Sequence, residues 1–442
     1  MEEKIIEANI DALPGPTHLF SGLGVGNVAS IEHRNQTAYP KQAALENLAK
    51  AELVAGLGIP QYVWLPPDRP NLEMLRKVGF NGSAREITAA ALEHAPSMLQ
   101  ASLSSAFMWA ANSGTFSPAV DCDDNCYHFT PANLISSLHR GGEANERAAD
   151  LHAMLAKRLD RPLILHDPLP ELVPLRDEGA ANHMRLSDAS GLNAINVFVY
   201  GDGPSGRRPQ VHFPRQTRLS VEALARQHRL PGGRVAFVQQ HPAAIDAGVF
   251  HNDVIATSHR NFLFYHELAF ADGEAVEMIK RQFASEVGQP LTIAKVPLEQ
   301  LSLTDAVESY LFNSQIVVDD TDTWTIICPN QCQSVLSAKN VVEGLIADSN
   351  CPIAAVRYIS LQQSMSGGGG PACVRLRLPI AAQAEILQAD SFYRLTDDRA
   401  ASLRRAIAET YPEELTLGDF TRTDVLDQVR VARESLLSAA DQ

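Results

Sequence analysis

Cys373 closes the run Gly367-Gly-Gly-Gly-Pro-Ala-Cys373 and is followed by Val374-Arg-Leu-Arg-Leu378. Four consecutive glycines cost backbone entropy on ordering, so something at this point requires backbone without side chains. The run predicts N–H groups brought close to a ligand, with Cys373 at the entrance of a strand over 373–378. A thiol attacks only as its thiolate, which needs a cationic neighbour or a base. A second reading stays open on local sequence alone: a flexible hairpin loop leading into a buried cysteine that behaves as a small hydrophobe.

Two further segments carry the residue types such chemistry needs. His251 lies in Gly248-Val-Phe-His-Asn-Asp-Val-Ile-Ala256, beside Asn252 and Asp253 and just before an apolar strand. That placement suits a general acid/base oriented by polar neighbours, and equally a hydrogen-bonded strand-edge histidine. Glu178 lies in Arg176-Asp-Glu-Gly-Ala-Ala-Asn-His183. Adjacent acids before a glycine can hold a guanidinium through paired, charge-assisted hydrogen bonds, or simply form a solvated turn.

Other motifs are weaker. Gly22-Leu-Gly24-Val-Gly26 has the wrong spacing for a dinucleotide-binding loop, and no strand precedes it, although it could wrap an anionic or amide group with N–H donors. Cys122/Cys126 and Cys328/Cys332 are both C-x-x-x-C pairs. They depart from the usual two-residue spacing of structural zinc, and Cys328 ends a predicted strand where Cys332 opens a helix, so no metal is expected.

These residues must be positioned by alternating strands and helices. Ala44, Leu48, Ala51 and Ala55 fall on one face of a helix over 40–56, ahead of a strand over 62–65. Ser83 and Glu86 have capping-box spacing. Ala148, Leu151, Leu155 and Leu159 make a helical stripe before a strand at 163–165. Strands are predicted at 194–200, 235–239, 254–257, 261–265, 291–296, 315–318, 324–328 and 353–359. Helices are predicted at 219–229, 273–286, 332–347 and 423–439, and Gly201–Pro209 reads as a loop tip. The alternation predicts an α/β protein, and without a long linker or fixed-period repeat one body over 1–442 is the simpler reading.

Composition narrows the functional classes. Of 442 residues 45% are hydrophobic and 20% charged, which is ordinary globular composition. The 37 Lys and Arg against 52 Asp and Glu give a net charge of −15, a field that repels nucleic acid and anionic membrane. No stretch approaches the roughly eighteen uninterrupted apolar residues of a membrane-spanning helix. The start, Met1-Glu-Glu-Lys4, lacks a secretory layout, and six cysteines are too sparse for a disulfide scaffold, so a reducing cytoplasm is expected.

Eight segments complete the reading: Ser21–Ser30, Met108–Asn112, Leu138–Arg140, Asp177–His183, Arg215–Arg218, Gly248–Ala256, Tyr310–Gln315 and Gly368–Cys373. In this order they resemble the N-succinylarginine dihydrolase family of the amidinotransferase, or guanidine-modifying, superfamily, over nearly the whole chain. The resemblance implies a pentein-like, five-bladed α/β propeller around one polar site, acting without a cofactor and as a homodimer. It implies conversion of N2-succinylarginine to N2-succinylornithine, ammonia and carbon dioxide, the second step of a bacterial arginine-degrading route.

By the same resemblance Cys373 is the nucleophile, His251 the general acid/base and Glu178 the third catalytic residue. The implied substrate-binding positions are Ser21, Gly22, Leu23, Gly24, Val25, Gly26, Asn27, Val28, Ala29, Ser30, Asn112, His139, Arg140, Arg215, Asp253 and Gly367. Arg218 is a further candidate cation for the dianionic tail. Where the family usually has an asparagine this chain has Gly367, which removes a side-chain contact. The alternatives are a related arginine deiminase or agmatine iminohydrolase, a silent α/β ligand-binding protein using its glycine loops as anion nests, and, disfavoured by the glycine spacing, a nucleotide-dependent oxidoreductase.

Overall fold

The computed structural model describes residues 4–140, 143–203, 206–388 and 393–441. Its strands are β1 (Ile5–Ala12), β2 (Gln61–Trp64), β3 (Gly114–Ser117), β4 (Tyr127–Pro131), β5 (Leu163–Leu165), β6 (His183–Ser187), β7 (Ala194–Tyr200), β8 (Val235–Gln239), β9 (Ala256–His259), β10 (Phe262–His266), β11 (Thr292–Val296), β12 (Gln315–Val318), β13 (Trp324–Pro329), β14 (Ile353–Ile359) and β15 (Arg375–Ala381). Among the described residues they form five separate three-stranded sheets.

Every sheet has the same plan. A central strand (β1, β4, β7, β10 or β13) pairs antiparallel with one neighbour and parallel with the other. The antiparallel neighbours are β15, β3, β6, β9 and β12. Four sheets are contiguous in sequence; the fifth joins β1 and β2 to β15 and so ties the two ends of the chain together. A parallel pair needs a crossover, and the intervening helices supply it. In the helix Ala275–Val287, between β10 and β11, Ala275, Ile279 and Phe283 are buried at helical spacing. They pack with Leu186, Ile195, Val197 and Leu263 in one core cluster, each large side chain contributing about 1.5–3 kcal/mol by burial. Gly288, at φ +77°, ends this helix in the left-handed conformation that only glycine adopts without strain.

A short turn leads into each antiparallel strand. The turns are Ala110–Asn112 before β3, Gly179–Asn182 before β6, Asn252–Val254 before β9, Leu311–Asn313 before β12, and Ala372-Cys373 before β15. Hydrogen bonds join them in a closed ring. Asn112 Nδ2 donates to Glu178 O (2.9 Å), Asn252 N to Asn182 Oδ1 (2.9 Å) and Asn313 Nδ2 to Asp253 O (3.1 Å). Ala372 N then donates to Asn313 O (2.9 Å), and Ala111 N to Cys373 O (3.0 Å) closes the circle.

Most predicted elements appear within a residue or two. The strands at 194–200, 235–239, 315–318 and 353–359 have the expected bounds, and Ser83 and Glu86 form a capping box. Three differ for local reasons. The strand expected from 254 starts at Ala256 because Asn252–Val254 is a 3-10 turn, and the strand expected from Cys373 starts at Arg375. The helix expected over 332–347 is two pieces, Gln331–Ser334 and Leu336–Ala347, separated by an extended Val335. The loop over Gly201–Pro209 forms only one bridge, from Asp202 to Thr217; residues 204 and 205 lie outside the described residues. No helix among the described residues is long and apolar enough to cross a membrane.

Candidate active site

The ring of turns brings together what the sequence scatters over two hundred positions. Glu178 precedes Gly179, whose φ of +71° turns the chain sharply and whose added Cβ would stand 3.0 Å from Gly114 N. The Glu178 backbone is held at both ends, its N–H by Gln216 Oε1 (2.7 Å) and its carbonyl by Asn112. Its side chain is fully buried. Oε2 accepts from His251 Nε2 at 2.8 Å and from Arg140 Nη2, with Arg215 Nη1 at 3.7 Å.

Charge follows from this geometry. Burial opposes ionisation of Glu178, but Arg140, His251 and Arg215 outweigh it and hold the carboxyl well below the usual carboxylate range. Burial lowers His251 to about 4 against the opposing pull of Glu178, so the imidazole is neutral near pH 7. With Nε2–H donated to Glu178, Nδ1 is left as the basic nitrogen, and no protein group bonds to it.

Cys373 lies across the ring. Its Sγ is 3.4 Å from Asp253 Oδ2 and accepts from Asn313 Nδ2 at 3.2 Å. Burial, reinforced by the Asp253 carboxylate, pushes the thiol well above its ordinary value. Burial also raises Asp253 to about 7. A neutral thiol, a neutral imidazole and a carboxyl whose ionisation burial opposes make a site short of positive charge at the nucleophile. A cation bound there stabilises thiolate and carboxylate together.

A narrow cavity joins these groups, lined by Gly24, Asn27, Ser30, Trp109, Asn112, His139, Arg140, Arg215, Phe250, His251, Gly367, Gly368 and Cys373. The expected residues divide accordingly. Of the 21–30 segment, Gly24, Asn27 and Ser30 face the cavity, whereas Ser21, Gly22, Leu23, Val25, Gly26, Val28 and Ala29 shape the loop behind them. Asn27 caps the helix Val28–Glu32 through Ser30 N (3.1 Å) and donates to Gly368 O (2.8 Å), clasping this loop to the glycine run. Arg215 donates to Val25 O through Nε (2.9 Å) and Nη2, with its guanidinium 4.9 Å over the Phe250 ring. His139 lines the cavity as a neutral ring, lowered to about 3 by burial and then by Arg140 and Arg215. Glu178 sits beneath Arg140 and His251, and Asp253 stands behind Cys373, where with Ala372 it also lines a second, larger cavity.

Three expectations need correction. Asp177, the other acid of the pair, turns away from the site: its Oδ1 accepts from Gly179 N (3.1 Å) and Gln216 Nε2 (2.9 Å). The glycine run does not offer all its N–H groups to a ligand. Gly368 N and Gly369 N cap the helix Gln362–Gly367 through Met365 O and Ser364 O, which requires Gly368 at φ +104°. Arg218 lies outside the cavity and pairs with Glu222 at 2.8 Å. The sequence reading missed Asn313 and Trp109 as individual residues, although both fall in segments that matched the family, 310–315 and 108–112.

Among the described residues no three His, Cys, Asp or Glu side chains are grouped to hold a metal. The paired cysteines donate locally, Cys122 to Pro118 O (3.4 Å) and Cys332 to Ser309 O (3.4 Å).

A family profile described as succinylarginine dihydrolase matches residues 4–441. The N-succinylarginine dihydrolase of Shewanella piezotolerans is 40% identical over 437 residues, covering 98% of this chain and 97% of its own. That of Nitrosospira multiformis is 40% identical over 433 residues, covering 97% and 96%. Among solved structures, the product-bound N-terminal domain of ArgZ, an arginine dihydrolase of the Ornithine-Ammonia Cycle in Cyanobacteria, superposes with TM-score 0.50 at 15% identity, over 84% of this chain and 97% of that one. Apo ArgZ gives 0.51 at 14% identity, over 86% and 42%. At such identity the likeness is one of fold, α/β built from small sheets.

Proposed function

The chain belongs to the succinylarginine dihydrolase family, and from that premise we propose that it hydrolyses N2-succinyl-L-arginine to N2-succinyl-L-ornithine, two ammonia and one carbon dioxide through a covalent bond to Cys373. The observation that carries the reading is one cavity lined by Cys373, His251 and two buried arginines, with Glu178 and Asp253 just behind its wall.

The guanidinium carbon is a poor electrophile because its charge is spread over three nitrogens. Positioning therefore supplies much of the catalysis. Glu178 Oε1 and Asp253 Oδ1 are buried acceptors without protein partners, one on each side of the ring, and each takes a guanidinium N–H. The substrate's own charge lowers the cost of the thiolate. Cys373 Sγ attacks as the thiol proton passes to His251 Nδ1, and the imidazolium gives that proton to the departing ammonia. Nδ1, neutral again, takes a proton from the water that displaces Sγ and returns it to the sulfur, leaving a ureido group. A second round on that group releases the remaining ammonia and the carbon. A variant of ArgZ has been solved covalently bonded to a reaction intermediate, which supports a covalent route on this fold.

Arg140, Arg215 and the Gly24–Ser30 loop receive the carboxylates of the tail. Each charge-assisted hydrogen bond is worth about 1.5–3 kcal/mol. Free arginine lacks the succinyl group, so its kcat/KM falls by about a hundredfold or more relative to N2-succinylarginine. Steady-state ammonia release from the two substrates checks this; equal values point instead to a deiminase that ignores the tail.

The same proposal takes 1–442 as one catalytic unit, a five-bladed propeller of pentein type, cytoplasmic and homodimeric, using side chains, substrate and water without a cofactor. The five identical sheet plans and the closed ring of turns support the propeller. Six free thiols suit a reducing compartment. The dimer rests on the family alone, and light scattering that returns one chain mass counts against it.

A further inference from the structure

The two rounds of a dihydrolase make opposite demands on the protein. A guanidinium presents N–H donors and calls for acceptors, which Glu178 and Asp253 provide. A ureido group presents a carbonyl oxygen, and thiolate attack moves the C=O π pair onto it. That oxygen then calls for a donor. Enzymes commonly use backbone N–H groups beside the nucleophile, but here several of them are already engaged. Cys373 N donates to Gly370 O (3.1 Å) and Asn313 Oδ1 (3.2 Å), and Ala372 N to Asn313 O (2.9 Å) and Oδ1 (3.1 Å). Gly368 N and Gly369 N are tied into the helix cap, and Asn313 Nδ2 is divided between Asp253 O and Cys373 Sγ.

One side-chain donor beside the glycine run is buried and unengaged. Trp109 Nε1 is buried and has no hydrogen-bond partner, and the indole lines the cavity. A Cβ built on Gly369 would meet Nε1 at 2.2 Å and Cys373 Cβ at 3.1 Å, so these two atoms are no farther apart than those distances together. That separation allows an oxygen on a carbon bonded to Sγ to come within hydrogen-bond reach of the donor. Of the other unpartnered cavity nitrogens, Arg140 Nε and His139 Nδ1 belong to the cluster around Glu178, and His251 Nδ1 carries no hydrogen to donate in the neutral ring. Burying an N–H without an acceptor costs about 1–3 kcal/mol, a cost relieved when an acceptor arrives during turnover.

We propose that the Trp109 indole N–H is the oxyanion donor of the second round, binding the ureido carbonyl oxygen as Cys373 attacks; this rests on the dihydrolase reading above. In that round the thiol proton passes to His251 Nδ1, and the S–C bond forms as the π pair moves to oxygen. The oxyanion collapses, the C–NH2 bond breaks, and the nitrogen takes a proton from His251 and leaves as ammonia. Water then adds to the thiocarbamate carbon, the C–S bond breaks to restore the thiol, and the carbamate loses carbon dioxide to give the ornithine amine. Trp109 thus acts on the step that separates a dihydrolase from a deiminase.

Trp109→Phe keeps a ring and deletes the donor. Ammonia per N2-succinylarginine should fall from two toward one, with N2-succinylcitrulline accumulating. Turnover of added N2-succinylcitrulline should drop about 10²–10³-fold, the cost of one oxyanion-hole donor, while release of the first ammonia is largely kept. Incorporation of 3-benzothienylalanine at position 109 replaces N–H by sulfur with the bicyclic shape retained and should give the same split. Undiminished second-round turnover in that protein, or equal loss in both rounds, overturns the proposal. If the unmodified enzyme releases only one ammonia, the dihydrolase reading itself fails, which a failure of the Trp109 variants alone would not imply.

Discussion

Cys373→Ser is expected to lower turnover of N2-succinylarginine by about 10⁴-fold or more while leaving the fold intact, since the two side chains differ by one atom. The site already works against ionisation, with burial and Asp253 both pushing the thiol up. It functions because a sulfur anion is accessible once the guanidinium charge is in place. A serine hydroxyl starts several units higher in the same surroundings, and the carboxyl beside it, Asp253, raised to about 7, remains far too weak a base to make up the difference. Intact-protein mass spectrometry during turnover should detect an adduct on the parent enzyme and none on the variant. Turnover near the parent level would remove Cys373 from the mechanism and revive the reading of a buried, chemically idle thiol.

The second large effect is expected at Glu178→Gln, a change of nearly equal volume. It removes the charge beneath two buried arginines and frees His251 to take the wrong tautomer. A misplaced tautomer in a comparable dyad costs about 10⁴ in kcat, and a loss of that order is expected here. Stability should fall as well, by roughly 3–5 kcal/mol near neutral pH, because Arg140 and Arg215 are left buried and unpaired. The pH dependence has a definite sign. The folded carboxyl is held below its unfolded value, so its stabilisation is fully present above the ordinary carboxylate range and is lost as pH falls toward the depressed folded pKa. The difference in melting temperature between parent and variant should therefore be largest at neutral pH and shrink in acid. A constant difference would mean that Glu178 is not ionised in the folded protein.

How much of this was legible in the sequence depends on what each element faces. β7, β8, β12 and β14 and the helix Ala275–Val287 could be read because long apolar runs or stripes bury against one another. β1, β3, β4 and β6 were missed. Their alternate residues are polar and engaged in buried polar contacts, so Glu7, Asn9, Asp11, Ser117, His128, Thr130 and Arg185 interrupt the hydrophobic pattern. The fivefold plan was equally hidden, since it lives in backbone geometry. The turns leading into the five antiparallel strands carry Asn112, Glu178, His251, Asn313 and Cys373, residues of four types at unequal distances from their strands, and no fixed-period search can align them. Cys373, His251 and Glu178 were each ambiguous alone. What supports the roles proposed for them is mutual geometry: Glu178 accepts from His251 Nε2, and Asn313 and Asp253 flank the thiol. Trp109 was passed over because an aromatic residue in an apolar segment reads as core, and only its unpartnered nitrogen beside Gly369 marks it otherwise.

The central claim is that one cavity completes two hydrolyses on a tailed guanidine. Counting products from a known amount of N2-succinylarginine tests it most directly. The arrangement of Cys373, His251, Glu178 and Asp253 predicts two ammonia and one carbon dioxide for each N2-succinylornithine formed. One ammonia per substrate, with N2-succinylcitrulline as the end product and no carbon dioxide, would contradict it.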